Sequence, residues 1–115
     1  MYELKFTAAA VADVKALPRK LKAPLKRALR QKLARDPAGC ACELTEPLSG
    51  FRSFHWRDYR VVFRIFEEQR MLAVVGIGER APQSRSNLYR RLEALAEQGK
   101  LAADVLAVLR KLGGR

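Results

Sequence analysis

The sequence predicts an α+β fold, in which a small antiparallel sheet of about four strands packs against an N-terminal helical hairpin, with one or two C-terminal helices. Two apolar segments with helical spacing, separated by a proline, precede residue 37. Residues 53–77 then change to the two-residue period of strands, and leucines at helical spacing return after residue 87. Helices grouped against an antiparallel sheet form an α+β sandwich.

The first elements are a short strand and a helix. Alternation and aromatic residues predict a strand over Tyr2 to Phe6. Thr7 is a suitable N-cap for the alanine-rich stretch that follows, and Pro18 ends this helix. Its predicted apolar stripe consists of Ala10, Val11, Val14 and Leu17.

The second helix of the hairpin is amphipathic and strongly basic. Its apolar face carries a leucine every four residues, at Leu21, Leu25, Leu29 and Leu33. Because Pro24 is tolerated only in a first turn, we expect the helix to begin around Lys20 to Ala23. Its opposite face carries Lys22, Lys26, Arg27, Arg30, Lys32 and Arg35. A charge run of this kind is typical of a solvated face.

Three consecutive strands are predicted in the middle of the chain. Phe54 and Trp56 alternate with polar residues, and a second strand spans Tyr59 to Phe66. The polar segment from Glu67 to Arg70 is a hairpin loop, so the strands should pair antiparallel. The segment from Met71 to Ile77 is almost wholly apolar, which predicts a central strand covered on both faces. The glycines at 76 and 78 indicate close approach by a neighbour or ligand.

Two helices complete the chain. Ser86 or Asn87 can cap a third helix, which Gly99 terminates and which bears Leu88, Leu92 and Leu95. A fourth helix is marked by Leu101, Val105, Val108, Leu109 and Leu112. We expect a single domain over residues 1–115, with residues 99–115 as a helical extension.

Composition limits the classes of function. The 115 residues include 23 Lys and Arg against 12 Asp and Glu, a formal charge of +11, which favours a polyanionic partner. The apolar runs are too short for a membrane span, and the N-terminus lacks the apolar core of a signal peptide, so we expect a cytoplasmic protein without membrane association. Cys40, Cys42 and the only histidine, His55, form no ligand cluster, so neither metal nor cofactor is expected.

Arginines in the strand region form the most specific candidate site. Arg60 and Arg64 are four residues apart on one strand and share a face, and Arg80 follows the apolar strand. If the two strands are neighbours, Arg60 and Arg80 converge and can bind a phosphate. The alternative, to which we give equal weight, is that these two arginines are surface residues paired with Glu67, Glu68 or Glu79.

His55 and Tyr89 are further candidates. His55 and Ser53 project from the face opposite Phe54 and Trp56, where an imidazole near the arginines suits acid–base chemistry. The alternative is an ordinary hydrogen-bonded surface histidine. Tyr89 can donate a hydrogen bond or stack on a base, and it is as readily a packing residue.

Together these motifs resemble the RelE/ParE superfamily of toxins from bacterial toxin–antitoxin pairs, over roughly residues 2–91. Most diagnostic are a strand that starts Asp-Tyr-Arg, at residues 58–60, and a Gly-x-Arg strand end, Gly78-Glu79-Arg80, which closes the stretch 76–80. The remaining pieces are Leu17-Pro18, Asp36-Pro37, Leu48-Ser49-Gly50 and Tyr89-Arg90.

The resemblance implies metal-independent cleavage of mRNA in the ribosomal A site, through attack of a 2′-hydroxyl that leaves a 2′,3′-cyclic phosphate and a 5′-hydroxyl. It implies that Arg60 holds the phosphate and that Arg80 stabilises charge or assists protonation of the leaving group. Tyr89 would contact the substrate nucleotide, and we expect Arg64 and Arg57 to be further substrate-binding residues. Where RelE-like nucleases often carry two basic residues, this sequence has Ser53 and His55, and His55 would replace the base.

The same resemblance implies partners. They are a cognate acidic antitoxin, which can form a hetero-oligomer with the toxin, and the ribosome with its mRNA. The alternative is a ParE-like toxin that binds DNA gyrase without RNA cleavage, in which Arg60 and Arg80 are structural and His55 is incidental. A simple basic nucleic-acid-binding module explains the charge but not the motifs.

Overall fold

The computed structural model describes residues 1–79 and 87–113. The strands are β1 Glu3–Phe6, β2 Ala41–Glu43, β3 Arg52–Trp56, β4 Tyr59–Phe66 and β5 Met71–Glu79. The helices are α1 Ala8–Ala16, α2 Arg19–Ala28, α3 Asn87–Glu97 and α4 Lys100–Gly113, and α2 continues into a π-helical turn, Leu29–Leu33. No helix in the described ranges is long and apolar enough to cross a membrane.

The five strands form one sheet in the order β1-β5-β4-β3-β2. The hairpin pairing of β3, β4 and β5 is antiparallel, as predicted, and the α+β fold class is confirmed. The observed sheet differs in two details from the expected antiparallel sheet of about four strands. The first strand pairs in parallel with β5, because the chain crosses over through the helical hairpin before it returns to the sheet. The short β2 strand extends the opposite edge beside β3.

Helices cover both faces of the sheet. On the hairpin face, Val61 and Phe63 of β4 lie in one buried cluster with Leu25, Leu29 and Leu33. On the α3–α4 face, Val62 and Val75 lie in a second cluster with Leu88 and Leu92. Residues Met71–Ile77 are buried throughout, which confirms the prediction of a central strand covered on both sides.

The second helix begins earlier than expected. It starts at Arg19, where the carbonyl of Pro18 accepts a hydrogen bond from the amide of Leu21, so Pro24 falls in the second turn rather than the first. In a regular α-helix, side chains four residues apart differ in direction by about 40°, so leucines at this spacing would drift around the helix. The wider π-helical turn rotates less per residue and returns Leu33 to the buried face, which accounts for the leucine spacing.

The cap of α1 forms as predicted, while one position of its apolar stripe is wrong. Thr7 Oγ1 accepts a hydrogen bond from the Ala10 amide at 3.2 Å. Val11 is 40% exposed, whereas Ala10 and Leu17 are buried. Asp13 faces the sheet instead, where it accepts a hydrogen bond from the β5 backbone.

Candidate functional site

A row of three residues crosses the sheet on the α3–α4 face. His55 of β3 is directly opposite Arg60 of β4, which is opposite Gly78 of β5. Directly opposite residues of antiparallel strands project from the same face with Cα atoms about 5 Å apart. The side chains of His55 and Arg60 therefore leave the sheet side by side on one face, with His55 exposed and Arg60 half-buried. We call this arrangement the His55–Arg60 row.

The guanidinium of Arg60 is not neutralised by a carboxylate among the described residues. Its Nη1 donates to the carbonyl oxygen of Tyr59 at 3.0 Å. The ion pairs in the described ranges are Lys5–Glu3 and Arg91–Asp13. Glu79 is opposite Tyr59, so it projects from the other face of the sheet. The structure therefore does not have the ion pair between Arg60 and a glutamate that was the alternative for this arginine.

Tyr89 reaches the same face from α3. Its hydroxyl lies 2.6 Å from Ser53 Oγ, and the Ser53 side chain is almost wholly buried. Ser53 is two residues before His55 on β3, a separation of about 7 Å along the strand. Tyr89 is half-buried and packs against the second core cluster. It is thus both a packing residue and a neighbour of the His55–Arg60 row.

Two glycines of β5 allow α3 to lie this close. A Cβ at Gly78 would be 2.8 Å from the Cβ of Leu88, and a Cβ at Gly76 would be 2.8 Å from Leu88 Cδ1. The predicted close approach at these positions is therefore confirmed, and the neighbour is α3. Leu88 marks the boundary of the His55–Arg60 row on the β5 side.

Arg64 and Arg57 are not brought into the row. Arg64 is about 13 Å further along β4, with its guanidinium 5.8 Å and 5.5 Å from the ring centroids of Phe51 and Phe66. Arg57 occupies the β3–β4 turn with φ of 54°, and its guanidinium is 4.5 Å from the centroid of the Trp56 ring. Trp56 packs against the hairpin-side core, so this contact holds Arg57 towards the opposite face.

Arg80 lies outside the described residues, so its predicted convergence with Arg60 stays a prediction. The two strands on which that prediction depends are neighbours, since β4 pairs with β5. The last described residue of β5, Glu79, is opposite Tyr59.

Other reactive groups in the described ranges do not form a competing site. No group of three or more His, Cys, Asp or Glu residues there is arranged to hold a metal ion. Burial, with a smaller contribution from Asp36, raises the pKa of the Cys40 thiol, which favours its protonated, weakly nucleophilic form.

One contact that the sequence patterns do not predict joins α1, β5 and α3. The carboxylate of Asp13 accepts two hydrogen bonds from Arg91, at 3.1 Å and 2.7 Å, and a third from the Ile77 amide at 2.9 Å. The available signal was weak: a lone acid in an alanine- and valine-rich helix.

The sequence matches a protein-family model described as the ParE toxin of the type II toxin–antitoxin system, parDE, over residues 4–84. No functionally curated protein matches the chain significantly.

Several solved structures are similar. A chain of the toxin–antitoxin complex RelBE2 from Mycobacterium tuberculosis is 26% identical, with a TM-score of 0.65 over 69% of this chain and 98% of that one. The isolated RelE toxin of E. coli is 21% identical, with a TM-score of 0.59 over 80% and 95% of the respective chains. The YoeB/ParE toxin from Agrobacterium tumefaciens is 18% identical, with a TM-score of 0.54 over 65% and 94%.

Proposed function

The chain belongs to the ParE toxin family of type II toxin–antitoxin systems, and from that premise we propose that it is a RelE-like endoribonuclease that cleaves mRNA on the ribosome. The observation that carries the proposal is the His55–Arg60 row: an exposed histidine directly opposite an arginine that no described carboxylate neutralises. A proton acceptor and a phosphate-binding cation on one face are what RNA transesterification requires.

The proposed reaction uses the 2′-hydroxyl of the substrate as the nucleophile. His55 accepts the proton of this hydroxyl as its oxygen forms a bond to the adjacent phosphorus. Arg60 donates N–H groups to the non-bridging phosphate oxygens, where negative charge develops. The bond from phosphorus to the 5′-oxygen breaks, and that oxygen takes a proton from solvent, while the protonated His55 returns its proton to solvent. The products are a 2′,3′-cyclic phosphate and a 5′-hydroxyl, and Arg80 is the candidate for stabilising the charge or assisting this protonation.

Gyrase inhibition without RNA cleavage is the second candidate, and the match to a ParE family model favours it. It requires Arg60 to be a structural residue. Against that requirement, the one described hydrogen bond of the Arg60 side chain is to the backbone of its own neighbour, which joins no two elements of the fold.

We also propose that an acidic antitoxin neutralises this toxin through a groove of about 310 Å³ beside the edge strand β1. Two exposed cations, Lys26 and Arg30, line the groove together with an apolar set of residues: Met1, Tyr2, Leu4, Phe6, Leu29 and Ala34. An apolar surface with cations beside it is complementary to an amphipathic acidic segment. Solved relatives include RelE toxins bound to RelB antitoxins.

The decisive experiment compares the two targets in parallel. Purified protein is incubated with translating ribosomes and the mRNA ends are mapped, while a supercoiling assay measures gyrase activity. Codon-phased cuts with 5′-hydroxyl ends support the nuclease, whereas trapped gyrase–DNA complexes without such cuts support the alternative.

Variants then test the residues. His55→Ala, Arg60→Gln and Arg80→Ala should each lower the cleavage rate by about 100-fold or more, because each removes an acid–base or charge-stabilising group. Growth inhibition should be lost with cleavage, and antitoxin binding should be retained. Arg110→Gln is the matched control, since Arg110 is an exposed arginine on α4. Full cleavage by His55→Ala and Arg60→Gln would refute the assignment of the row.

A further inference from the structure

Asp13 connects the two faces of the sheet at one point. It belongs to α1 on the hairpin face, while its partner Arg91 belongs to α3 on the other face. The contact is bidentate, with Nη1 to Oδ1 at 3.1 Å and Nη2 to Oδ2 at 2.7 Å. The Asp13 side chain is only 13% exposed, so the carboxylate is largely shielded from water.

The position of this contact follows from the sheet. β1 ends at Phe6, opposite Val74, so β5 has no strand neighbour beyond that residue on this side. Asp13 Oδ2 takes the place of a strand carbonyl by accepting the Ile77 amide at 2.9 Å. A Cβ at Gly76 would be 3.3 Å from Arg91 Nη2, so the glycine leaves room for the guanidinium to pass the strand.

The same contact fixes the part of α3 nearest the His55–Arg60 row. Arg91 is two residues after Tyr89, whose hydroxyl lies 2.6 Å from Ser53 Oγ. Ser53 is on the same strand and face as His55. Asp13 thus holds α3 at one edge of the sheet, while Tyr89 reaches across to β3.

We propose that Asp13 is a positioning residue, which acts through Arg91 to hold Tyr89 beside the His55–Arg60 row. The inference rests on the proposed function in assigning Tyr89 to the substrate side of the site. A small displacement of a positioned group is enough to lower activity strongly. Asp13 itself is expected to touch no substrate.

A double-mutant cycle tests this role. Asp13→Ala should lower mRNA cleavage and growth arrest by about ten-fold in the wild-type background and by less than about two-fold in the Tyr89→Ala background. Asp13→Asn retains an acceptor for the Ile77 amide and should show a smaller loss. Arg91→Lys keeps a cation and should retain more activity than Arg91→Ala. The control is Glu97→Gln, which removes an exposed carboxylate from α3.

Two structural measurements accompany the cycle. Thermal unfolding identifies any variant that fails to fold. If Asp13→Ala fails, Asp13→Asn replaces it in the cycle, and if Arg91→Ala fails, Arg91→Lys is compared directly with the wild type. Hydrogen exchange of the Ile77 amide should accelerate by about ten-fold or more in Asp13→Ala, and unchanged protection would overturn the inferred contact.

The remaining outcomes are also decisive. Equal losses in both backgrounds would show that Asp13 acts on stability alone, and full activity of Tyr89→Ala would remove the residue that Asp13 is proposed to position. If the wild type arrests growth without cutting mRNA, the proposed nuclease function fails. The same double-mutant cycle, measured by growth arrest, then still decides the role of Asp13.

Discussion

Replacing Gly78 with alanine measures how closely α3 must lie on β5. The added methyl carbon would be 2.8 Å from the Cβ of Leu88. Carbon atoms in ordinary contact are about 3.5–4.0 Å apart, so α3 has to move away from the strand by about 0.7 Å or more. Because the obstructing atom is bonded directly to the helix backbone, a change of side-chain rotamer cannot relieve the contact.

The expected loss of stability follows from two opposing effects. Overpacking of this kind costs about 1–3 kcal/mol. Replacement of glycine by alanine restricts the unfolded chain and offsets this by about 0.4–1 kcal/mol. At the middle of these two ranges the free energy of unfolding falls by about 1.3 kcal/mol, which lowers Tm by about 5 °C for a domain of this size.

Gly76→Ala is the matched comparison. There the added carbon would meet Cδ1 of Leu88 at 2.8 Å, the end of a flexible side chain, so the destabilisation should be smaller. Leu88→Ala removes that Cδ1 atom but keeps Cβ. It should therefore relieve Gly76→Ala by about 1 kcal/mol in a double-mutant cycle and relieve Gly78→Ala by less.

Chemical denaturation of the single and double variants gives these free energies, with toxin activity measured alongside. A Gly78→Ala protein as stable as the wild type would refute the argument from close packing. Equal relief of both alanine variants by Leu88→Ala would show that the Leu88 Cβ is not the obstruction.

Three further predictions concern other contacts. Tyr89→Phe should lower the free energy of unfolding by about 1–3 kcal/mol, because the buried Ser53 hydroxyl loses its partner. In the same denaturation experiment, the double variant with Ser53→Ala should recover most of this loss. The hydrogen bond to Glu67 raises the pKa of Tyr2 above 10.0, so the stability from this contact is present below pH 10 and is lost as the pH rises through the higher folded-state pKa. A spectrophotometric titration should show the Tyr2 phenolate at lower pH in Glu67→Gln, and an unchanged titration would contradict this cause. Arg30→Glu should weaken antitoxin binding by about ten-fold in calorimetry without altering Tm by more than a few degrees, and unchanged affinity would exclude the groove as the antitoxin site.

Local patterns were sufficient to predict most of the elements. The periods of 3.6 and 2 identify the helices and the strands β3 to β5, because each of these buries a face whose spacing is visible in the chain. They do not reveal β2, whose three residues are too few for a pattern. Nor do they give the direction of β1, because its partner β5 is distant in the chain and short-loop rules do not apply.

The residues of the candidate site that lie on strands could be placed from the sequence. The two-residue period places Ser53 and His55 on one face, and the short turn after Arg57 brings Arg60 opposite His55. The contact between Tyr89 and Ser53 depends on how α3 crosses the sheet, which is a tertiary property. The contact of Asp13 with Ile77 and Arg91 depends on the exposed edge that the short β1 leaves on β5, so no local pattern indicates it.

The placement of the acidic residues explains how Arg60 has no carboxylate partner among the described residues, so that its guanidinium can bind a phosphate. Glu67 accepts the hydroxyl of Tyr2 near the distant end of β4, and Asp13 is occupied by Arg91. Glu79 is on the face of the sheet opposite Arg60. The formal charge of +11 provides a general, salt-sensitive attraction to polyanions, to which any exposed cation contributes. A phosphate site needs more than this attraction, because it requires a particular guanidinium without a competing carboxylate beside a group that can accept a proton. Net charge alone therefore cannot distinguish the proposed nuclease from a simple basic binding module, whereas the exposed imidazole next to Arg60 gives the nuclease a specific chemical basis.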